Sequence, residues 1–265
     1  MAPKISIVTT TYNGEKYLTE SVGSILNQTF DDFEFIIVDD GSTDNTLKAL
    51  QQTNDPRIRI IQQSNQGQVD ALITGIKQAQ GELIARIDQD DYSLPNRLKR
   101  QVEFMDMHPN VILCGSQFQE LYGDNLLPQR IQFVQTNDEI KKVISFSNPF
   151  AHSAVMFRRD AYFKVGGYDN SFVIGMDYDL FIRLMEIGEV HNLEEILTVI
   201  RMHGESHSTK KSRQSIQESL KIRYRAYSKF GGNPFLTGFF FLKSIVCLVL
   251  PPRLKNRFSR TYLYA

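Results

Sequence analysis

The sequence contains no tryptophan, and its two cysteines, Cys114 and Cys247, lie far apart. Such a pair matches no metal-ligand spacing and cannot form the disulfide framework of a small secreted domain. The first strand-like run begins at Lys4, which leaves no room for a targeting segment before it. We therefore expect a reduced, cytoplasmic protein whose cysteines are not metal ligands.

The common phosphate-binding loops are also missing. Neither G-x-x-x-x-G-K-[ST] nor a G-x-G-x-x-G after a strand occurs in the chain. A P-loop enzyme and a dinucleotide-dependent oxidoreductase are therefore poorly supported. The hydrophobic content of 42% and the charged content of 23% are ordinary for a globular protein, so 265 residues can bury a sizeable core.

The net charge of zero hides an uneven distribution. From Arg201 onward, 13 lysines and arginines stand against 2 acidic residues, whereas the first 200 residues hold 17 basic and 28 acidic ones. This split indicates either that the C-terminal part meets something anionic or that it forms a solvated basic helix. Charge alone does not decide between these two interpretations. We expect no nucleic-acid partner.

Short apolar runs alternate with helix-period segments through the first hundred residues. This alternation predicts a parallel sheet with right-handed crossovers, whose ligands bind outside the carboxyl ends of the strands. The predicted elements are strand Ile5–Thr9, a helix from about Glu15 to Gln28, strand Phe33–Val38, a helix from about Asp44 to Gln52, strand Ile58–Gln62, helix Val69–Gln78 and strand Leu83–Ile87.

The pattern becomes less regular after Pro95. The predicted elements there are a helix over 96–107, one strand or two over 111–123, a strand Ala151–Arg159, a helix over 177–188 closed by Gly188, and short strands near Val190 and over Thr198–Arg201.

Carboxylates directly follow two of the predicted strands. Asp39 and Asp40 end the second strand, and "DQDD", Asp88 to Asp91, follows the fourth. Like charges this close repel, so a cation or a ligand rich in N–H and hydroxyl donors must offset the cost. Mg²⁺ is typically held by one or two carboxylates plus substrate phosphates. A lone D-x-D is weak evidence, but two acidic strand ends in one crevice favour a divalent-cation site.

Longer motifs resemble a known family. They are "SIVTTTYNGEKYLTESVGSILNQTFDDFEFIIVDDGSTDNT", "NQGQVDALITGIKQAQGELIARIDQDD", "HSAVMFRRDAYFKVGGYDNSF", "DYDLFIRL" and "RMHGESHS". In unbroken order over roughly residues 4 to 208, they are similar to the inverting glycosyltransferases of family 2.

The resemblance implies an α/β GT-A fold, with a Rossmann-like, mostly parallel sheet flanked by helices. It implies a domain over 1–208, with a nucleotide-binding half to about residue 100 and an acceptor half over 101–208, and residues 209–265 would form a helical, basic and hydrophobic extension. Members transfer a sugar from a nucleotide diphosphate, most often UDP, to a glycan or lipid-linked hydroxyl, as in cell-surface polysaccharide synthesis.

The resemblance also implies roles at the nucleoside. Asp40 would accept hydrogen bonds from the uracil ring, and Asp39 would fix the loop or the ribose. Thr10 and Tyr12 would line the same pocket, with Tyr12 offering a ring face for the base; the alternative for Tyr12 is a half-buried packing residue. Leu72 and Ile73 stand where many members have Arg-Asn, so Gln68 and Asp70 are the replacement candidates for donor contacts.

At the acidic loop the resemblance implies a site for Mn²⁺ or Mg²⁺. Asp90 would be the main ligand, Asp91 a second choice, and Asp88 would lie near the ribose and diphosphate. His203 matches a histidine that reaches the metal from the C-terminal side in some members. The plain alternative is a structural or exposed histidine.

Inversion needs one base that takes the proton of the acceptor hydroxyl. The family draws it from an acidic pair at a helix start, and in "GMDYDL" Asp177 keeps that position while Met176 replaces the usual Glu. Asp179 is expected to be structural. Without the resemblance, Asp177 would be interpreted as an ordinary helix cap. The Q-x-[Q/R]-R-W signature of processive synthases is absent, which favours one sugar per encounter.

Two other functions compete with this interpretation. A sugar-nucleotide nucleotidyltransferase would begin with a Gly-rich, basic phosphate loop, and "TTTYNGEKY" is not one. A non-catalytic sugar-nucleotide-binding module would have lost the D-x-D or the base, and both are present.

The C-terminal tail has its own alternatives. Its apolar run from Phe235 to Leu250 covers 16 residues and is interrupted by Lys243, whereas a spanning helix needs about 20 residues. The tail is predicted to lie on an anionic membrane surface through residues 235–260, on the cytoplasmic face. The alternative is a helix docked on the domain's own core or on a second subunit.

Overall fold

The structure is a computed structural model and describes residues 2–129, 131–203 and 213–249. The strands are β1 Ile5–Thr11, β2 Phe33–Asp39, β3 Ile58–Gln62, β4 Leu83–Arg86, β5 Tyr92–Ser93, β6 Val111–Tyr122, β7 Asn125–Leu126, β8 Met156–Arg158 and β9 Glu189–Met202. The helices are α1 Leu18–Leu26, α2 Thr46–Gln51, α3 Gln68–Lys77, α4 Arg97–Met107, α5 Asn137–Val143, α6 Arg159–Lys164, α7 Met176–Met185, α8 Arg213–Phe230 and α9 Pro234–Val249, with one 3-10 turn at His152–Ala154.

Nine strands of the described residues form one sheet in the order β3-β2-β1-β4-β8-β6-β9-β5, with β7 paired to β6. The first four positions in this order are parallel, as the alternating pattern predicts. Every residue of β1, β2 and β4 is buried, because helices cover both faces of the sheet. The predicted α/β architecture, with a mostly parallel sheet between helices, is confirmed.

The second half of the sheet differs from the sequence expectation. The two short strands expected near Val190 and Thr198–Arg201 are one strand, β9, which pairs in parallel with β6 over its whole length. The register shifts around Gln117, where Glu194 and Glu195 are exposed. These two charged residues interrupt the apolar pattern although the backbone stays extended, which is why the sequence predicts two strands there.

The strand predicted at Ala151–Arg159 is also corrected. Only Met156–Arg158 pairs with β4 and β6, in the antiparallel sense. The preceding residues make a 3-10 turn closed by a hydrogen bond from Ala154 N–H to the Ala151 carbonyl, 2.9 Å. This turn presents His152 and Ser153 to the ends of the parallel strands.

The helix bounds are close to the predicted ones, with late starts for α1 and α2. The α1 helix begins at Leu18 instead of Glu15, because the Gly14 carbonyl accepts from both Tyr17 and Leu18 N–H in a preceding turn. The α2 helix begins at Thr46, whose N–H and hydroxyl both donate to the Asp44 carboxylate.

The C-terminal helices pack onto the domain, as one of the alternatives for the tail predicts. On α9, Thr237 hydrogen-bonds Ser145 at 2.8 Å and the Phe240 ring stacks on Phe146. Among the described residues, no helix combines the length and apolar character needed to cross a membrane. The part of the predicted membrane contact over 250–260 lies outside the described residues.

The contact between Gly81 and β1 yields a stability prediction. A Cβ at Gly81 would lie 2.4 Å from Ser6 N and 2.6 Å from Ile5 C, which are backbone atoms that cannot rotate away. We expect Gly81→Ala to lower the free energy of unfolding by about 1–3 kcal/mol, measured by urea denaturation. Gly23→Ala is the control, because nothing lies within 4 Å of that Cβ and alanine favours the helix. Equal stability of the two variants would contradict the assigned packing.

Candidate active site

The carboxyl ends of β1, β2 and β4 form one edge, and the Asp40 carboxylate organises the loop beside it. One of its oxygens accepts from Gln63 Nε2 at 2.7 Å and from Gln66 N–H at 2.9 Å, and the other accepts from Gly67 N–H at 2.8 Å. Asp39 accepts from Ser42 N–H at 3.3 Å. Both aspartates are buried, so they hold the turns that surround the predicted nucleoside pocket.

The side chains predicted to contact the nucleoside lie at this edge with different exposure. Thr10 is buried in β1, whereas the Tyr12 ring is 46% exposed, as a ring face for a base must be. Thr11 Oγ1 donates to Gln89 Oε1 at 2.6 Å, which ties the end of β1 to the acidic loop. Gln68, at the start of α3, donates to Asp88 Oδ1 at 3.2 Å. The two acidic strand ends therefore meet in one crevice.

Two fully buried arginines lie beneath the acidic loop. The Arg86 guanidinium donates to the Val8 and Ile87 carbonyls and to Asp88. Arg97 donates to the Arg86 carbonyl at 2.6 Å and to the Val155 carbonyl at 3.1 Å, and burial followed by the Arg86 charge lowers its pKa to about 9. These side chains place fixed positive charge under carboxylates that would otherwise repel one another.

Asp88 is the carboxylate that this charge stabilises most directly. Burial alone would raise its pKa, but the charge of Arg86 and hydrogen bonds from Ser153 and Arg86 hold the pKa below its usual value. Ser153 Oγ also accepts from Asp88 N–H at 3.0 Å. Asp88 is therefore an ionised, fixed acceptor at the centre of the crevice.

Asp91 has a different environment although it is only three residues away. It is 4% exposed; its Oδ2 lies within hydrogen-bond distance of Ser153 Oγ, and Arg201 N–H donates to Oδ1 at 2.9 Å. Burial, and then the charges of Asp90 and Asp88, raise its pKa well above the usual value. Asp91 thus joins the acidic loop to the end of β9. Its role as a second-choice metal ligand stays a prediction, and this geometry does not favour it.

Asp90 lies at the open side of the loop and meets His203 from the end of β9. Asp90 Oδ2 and His203 Nε2 are 2.6 Å apart. Burial, and then the Asp88 charge, raise the pKa of Asp90 against the lowering effect of His203. The sequence predicted both residues as metal ligands, and the fold brings them together.

The donor set at this place fits a divalent cation that is also bound by phosphate. No three His, Cys, Asp or Glu side chains within 2–129, 131–203 and 213–249 are arranged to hold a metal by themselves. A carboxylate and an imidazole with a second carboxylate nearby leave positions for diphosphate oxygens, which is the usual way in which Mg²⁺ is bound in nucleotide sites.

Asp177 lies in the first turn of α7, near enough to Asp88 for the charge of that carboxylate to act on it. Asn148 Nδ2 donates to its Oδ2 at 3.2 Å. Burial is the main cause that raises its pKa to about 6, and the Asp88 charge adds to it. A partly exposed carboxylate with this pKa is ionised at neutral pH and can accept a proton. Asp179 is buried and paired with Arg183 and Arg225, in the structural role expected for it.

Asp70 and the two aliphatic departures lie on α3 beside this region. Asp70 Oδ1 accepts from Asn170 Nδ2 at 3.4 Å, which joins α3 to the loop before α7. Leu72 is fully buried and Ile73 half-buried, so both pack in the core and offer no polar atom to a ligand.

Sequence reasoning missed the polar residues between the two carboxylate groups. His152 Nε2 lies 2.7 Å from the Tyr168 hydroxyl, and burial followed by the Arg86 charge lowers the pKa of His152 to about 3, so the imidazole is neutral. The one signal in the sequence was an arginine inside an otherwise apolar strand, "LIARI", just before the aspartates. A buried guanidinium needs an anionic partner, and that partner is Asp88.

Comparisons with known proteins identify the family of the chain. The sequence model described as "Glycosyl transferase family 2" matches residues 6–166. The O-antigen biosynthesis glycosyltransferase WbnJ of Escherichia coli is 32% identical over 237 residues, which are 85% of this chain and 89% of WbnJ.

Solved structures show the same fold. Residues 1–349 of S. aureus TarS, in complex with UDP-GlcNAc, align with a TM-score of 0.72 at 19% identity, over 97% of this chain and 79% of that one. The mannosyltransferase PcManGT from Pyrobaculum calidifontis, in complex with GDP-Man and Mn²⁺, aligns with a TM-score of 0.69 at 17% identity and covers 98% of this chain and 74% of that one. The chain belongs to glycosyl transferase family 2 and has the GT-A fold.

Proposed function

We propose that the protein is a metal-dependent, inverting, non-processive hexosyl- or N-acetylhexosaminyltransferase. It moves a sugar from a nucleotide diphosphate sugar to a hydroxyl of a glycan or lipid-linked acceptor in cell-surface polysaccharide synthesis. The observation that carries the proposal is the 2.6 Å contact between Asp90 and His203 beside Asp88, together with Asp177, which is near enough to Asp88 for that charge to raise its pKa.

The donor is proposed to be a UDP-sugar. The WbnJ relative acts in O-antigen biosynthesis and TarS was solved with UDP-GlcNAc, whereas PcManGT was solved with GDP-Man. Asp40 already accepts three hydrogen bonds from its own chain, so its part is to hold the 63–67 loop while its remaining lone pair accepts from the base. Asp39 fixes the 39–42 turn, and Thr10 and Tyr12 border the same pocket.

The cation is proposed to be Mn²⁺ or Mg²⁺, held by Asp90 and His203 together with the donor diphosphate. When bound, it would supply Lewis-acid stabilisation of the charge that builds on the leaving nucleotide. Asp88, fixed by Arg86 and Ser153, would accept from the ribose and orient the diphosphate. Asp91 keeps the end of β9 on the acidic loop, so that His203 stays opposite Asp90.

The proton is proposed to move to Asp177. The acceptor hydroxyl attacks the anomeric carbon from the face opposite the leaving diphosphate, and its proton passes to the Asp177 carboxylate as the glycosidic bond forms. Asn148 orients this carboxylate by donating to Oδ2. The partly buried position, which raises the pKa to about 6, makes the carboxylate a stronger base than an exposed aspartate while it stays ionised at pH 7.

The acceptor side is proposed to face an anionic lipid surface. The α9 side that is turned away from the domain exposes Phe235, Leu236, Phe239, Leu242, Ile245 and Val246. The segment from Arg201 onward carries 13 basic residues against 2 acidic ones, which favours lipid with negative headgroups over a neutral partner. A lipid-linked acceptor would then be delivered at the surface on which the enzyme lies.

We expect Asp90→Asn to weaken UDP binding in the presence of Mn²⁺ on the order of 10–100-fold, because the variant loses a charged ligand of the cation. Isothermal titration of UDP with and without Mn²⁺ measures the effect, and Asp106→Asn, an exposed carboxylate that pairs with Lys4, is the control. Equal affinity and equal metal dependence of Asp90→Asn and the parent would remove Asp90 from the metal site.

We expect Asp177→Asn to lose turnover by about 10²–10⁴-fold while UDP and Mn²⁺ still bind, because the amide cannot accept the proton. The assay is Mn²⁺-dependent hydrolysis, with water as acceptor, of whichever of UDP-glucose, UDP-galactose, UDP-GlcNAc and UDP-GalNAc the parent turns over. In the parent, kcat/KM should fall as the pH drops through about 6, where the carboxylate becomes protonated.

Two variants serve as references for that experiment. Asp160→Asn changes another helix-start aspartate, on α6, and should keep parental turnover. Asp177→Glu should recover part of the activity because it restores a carboxylate. Near-parental turnover by Asp177→Asn would move the base elsewhere, whereas loss of UDP binding would point to a structural cap.

We expect Phe239→Ser combined with Leu242→Ser to reduce binding to phosphatidylglycerol-containing vesicles by about tenfold or more, because two exposed apolar side chains no longer enter the lipid. Vesicle co-sedimentation of the full chain measures the loss, and Phe163→Ser, an exposed residue on α6, is the control. A change of oligomeric state in ultracentrifugation without a change in vesicle binding would instead assign this face to a second copy of the chain.

A further inference from the structure

The helix that carries Asp177 begins without a side-chain cap of its own. Gly175 occupies the cap position of α7, and glycine has no side chain that could cap the first turn. The amides just before the helix would therefore depend on water or on another element for partners. That element is α8, whose Glu218 lies 43 residues after Gly175.

Glu218 of α8 supplies these partners. Its Oε1 accepts from Val173 N–H at 3.1 Å, and its Oε2 accepts from Ile174 N–H at 2.9 Å and Gly175 N–H at 3.1 Å. The side chain is 5% exposed. Burial alone would raise its pKa, but the three amides outweigh burial and lower the pKa, so the carboxylate is ionised.

Close packing between Gly175 and α8 also holds the 173–175 loop in place. A Cβ at Gly175 would lie 2.4 Å from Ile222 Cδ1, one helical turn after Glu218. The loop backbone thus lies directly against α8. Because Gly175 is only two residues from Asp177, a shift of this loop moves the carboxylate relative to the crevice.

We propose that Glu218 is a positioning residue that sets the place of Asp177 through the loop of residues 173–175. This inference rests on the proposed function of Asp177 as the base. A displacement on the order of 1 Å can cost about 10²-fold in rate, so an anchor of three hydrogen bonds matters to turnover even though Glu218 contacts no reacting atom. Glutamine cannot keep all three hydrogen bonds, since its amide nitrogen would face at least one N–H donor.

The matched control is at the other end of α7. Glu186 accepts from Arg225 at 3.0 Å and pairs with Lys229 at 3.0 Å, so it also joins α7 to α8, but beyond the last turn and away from Asp177. Glu186→Gln therefore removes a contact between the same two helices without touching the 173–175 loop.

Hydrogen exchange of the full-length protein, followed by mass spectrometry, tests the anchor without any substrate. We expect faster exchange of peptides containing residues 173–177 in Glu218→Gln, and parental exchange there in Glu186→Gln. Parental exchange in Glu218→Gln would overturn the proposal. Gly175→Ala is a second variant that keeps Glu218, and its Cβ should loosen the same peptides if Glu218→Gln does not fold.

Turnover of the same UDP-sugar with Mn²⁺ tests the link to the base. We expect Glu218→Gln to lose kcat about 10–100-fold with the donor KM changed less than twofold, since the proposed nucleotide contacts lie at the ends of β1, β2 and β4 and on α3, away from the 173–175 loop. In a protein that already carries Asp177→Asn, we expect Glu218→Gln to lower kcat less than threefold. A full additional loss there would show that Glu218 acts independently of Asp177. If Asp177→Asn itself kept parental turnover, the assignment of Asp177 as the base would be wrong. Hydrogen exchange of residues 173–177 would still test the contact of Glu218 with this loop.

Discussion

The ion pair between the buried Arg86 guanidinium and Asp88 is the interaction on which the rest of the cleft depends. Three carboxylates within four residues cannot be brought to the edge of an apolar sheet unless fixed positive charge lies near them. Arg86 supplies that charge from inside β4, and Arg97 braces its backbone from α4. Removing one partner of a buried ion pair typically lowers the free energy of unfolding by about 3–5 kcal/mol. The Arg86–Asp88 pair therefore also contributes to the stability of the fold.

The two halves of the sheet supply different residues of the candidate site. The parallel strands β1, β2 and β4 end in turns whose carboxylate and hydroxyl groups are hydrogen-bonded within the chain, and the proposed nucleotide site lies on these turns. The other half delivers His203 from β9, Ser153 from the 3-10 turn, and Asp177 from α7. Because β9 returns beside the acidic loop through Asp91 and Arg201, residues from distant parts of the sequence meet around one crevice.

Much of the first half was predictable, since strands with two apolar faces and helices with one leave clear periodic signals. The Asp90–His203 contact was also predicted, through the resemblance to family 2. The continuity of β9 was not, because Glu194 and Glu195 interrupt its apolar pattern. The burial of Arg86 and the anchoring by Glu218 were hidden for a related reason, since charged residues usually lie in water and only tertiary contacts show otherwise.

The most direct measurement of the central claim is pulsed EPR of Mn²⁺ bound together with UDP to protein labelled with ¹⁵N-histidine. A cation that joins the Asp90–His203 pair to the diphosphate should show hyperfine coupling to both ³¹P and ¹⁵N, and the ¹⁵N coupling should vanish in His203→Gln. Coupling to ³¹P without ¹⁵N, or ¹⁵N coupling that survives His203→Gln, would contradict the site as we describe it.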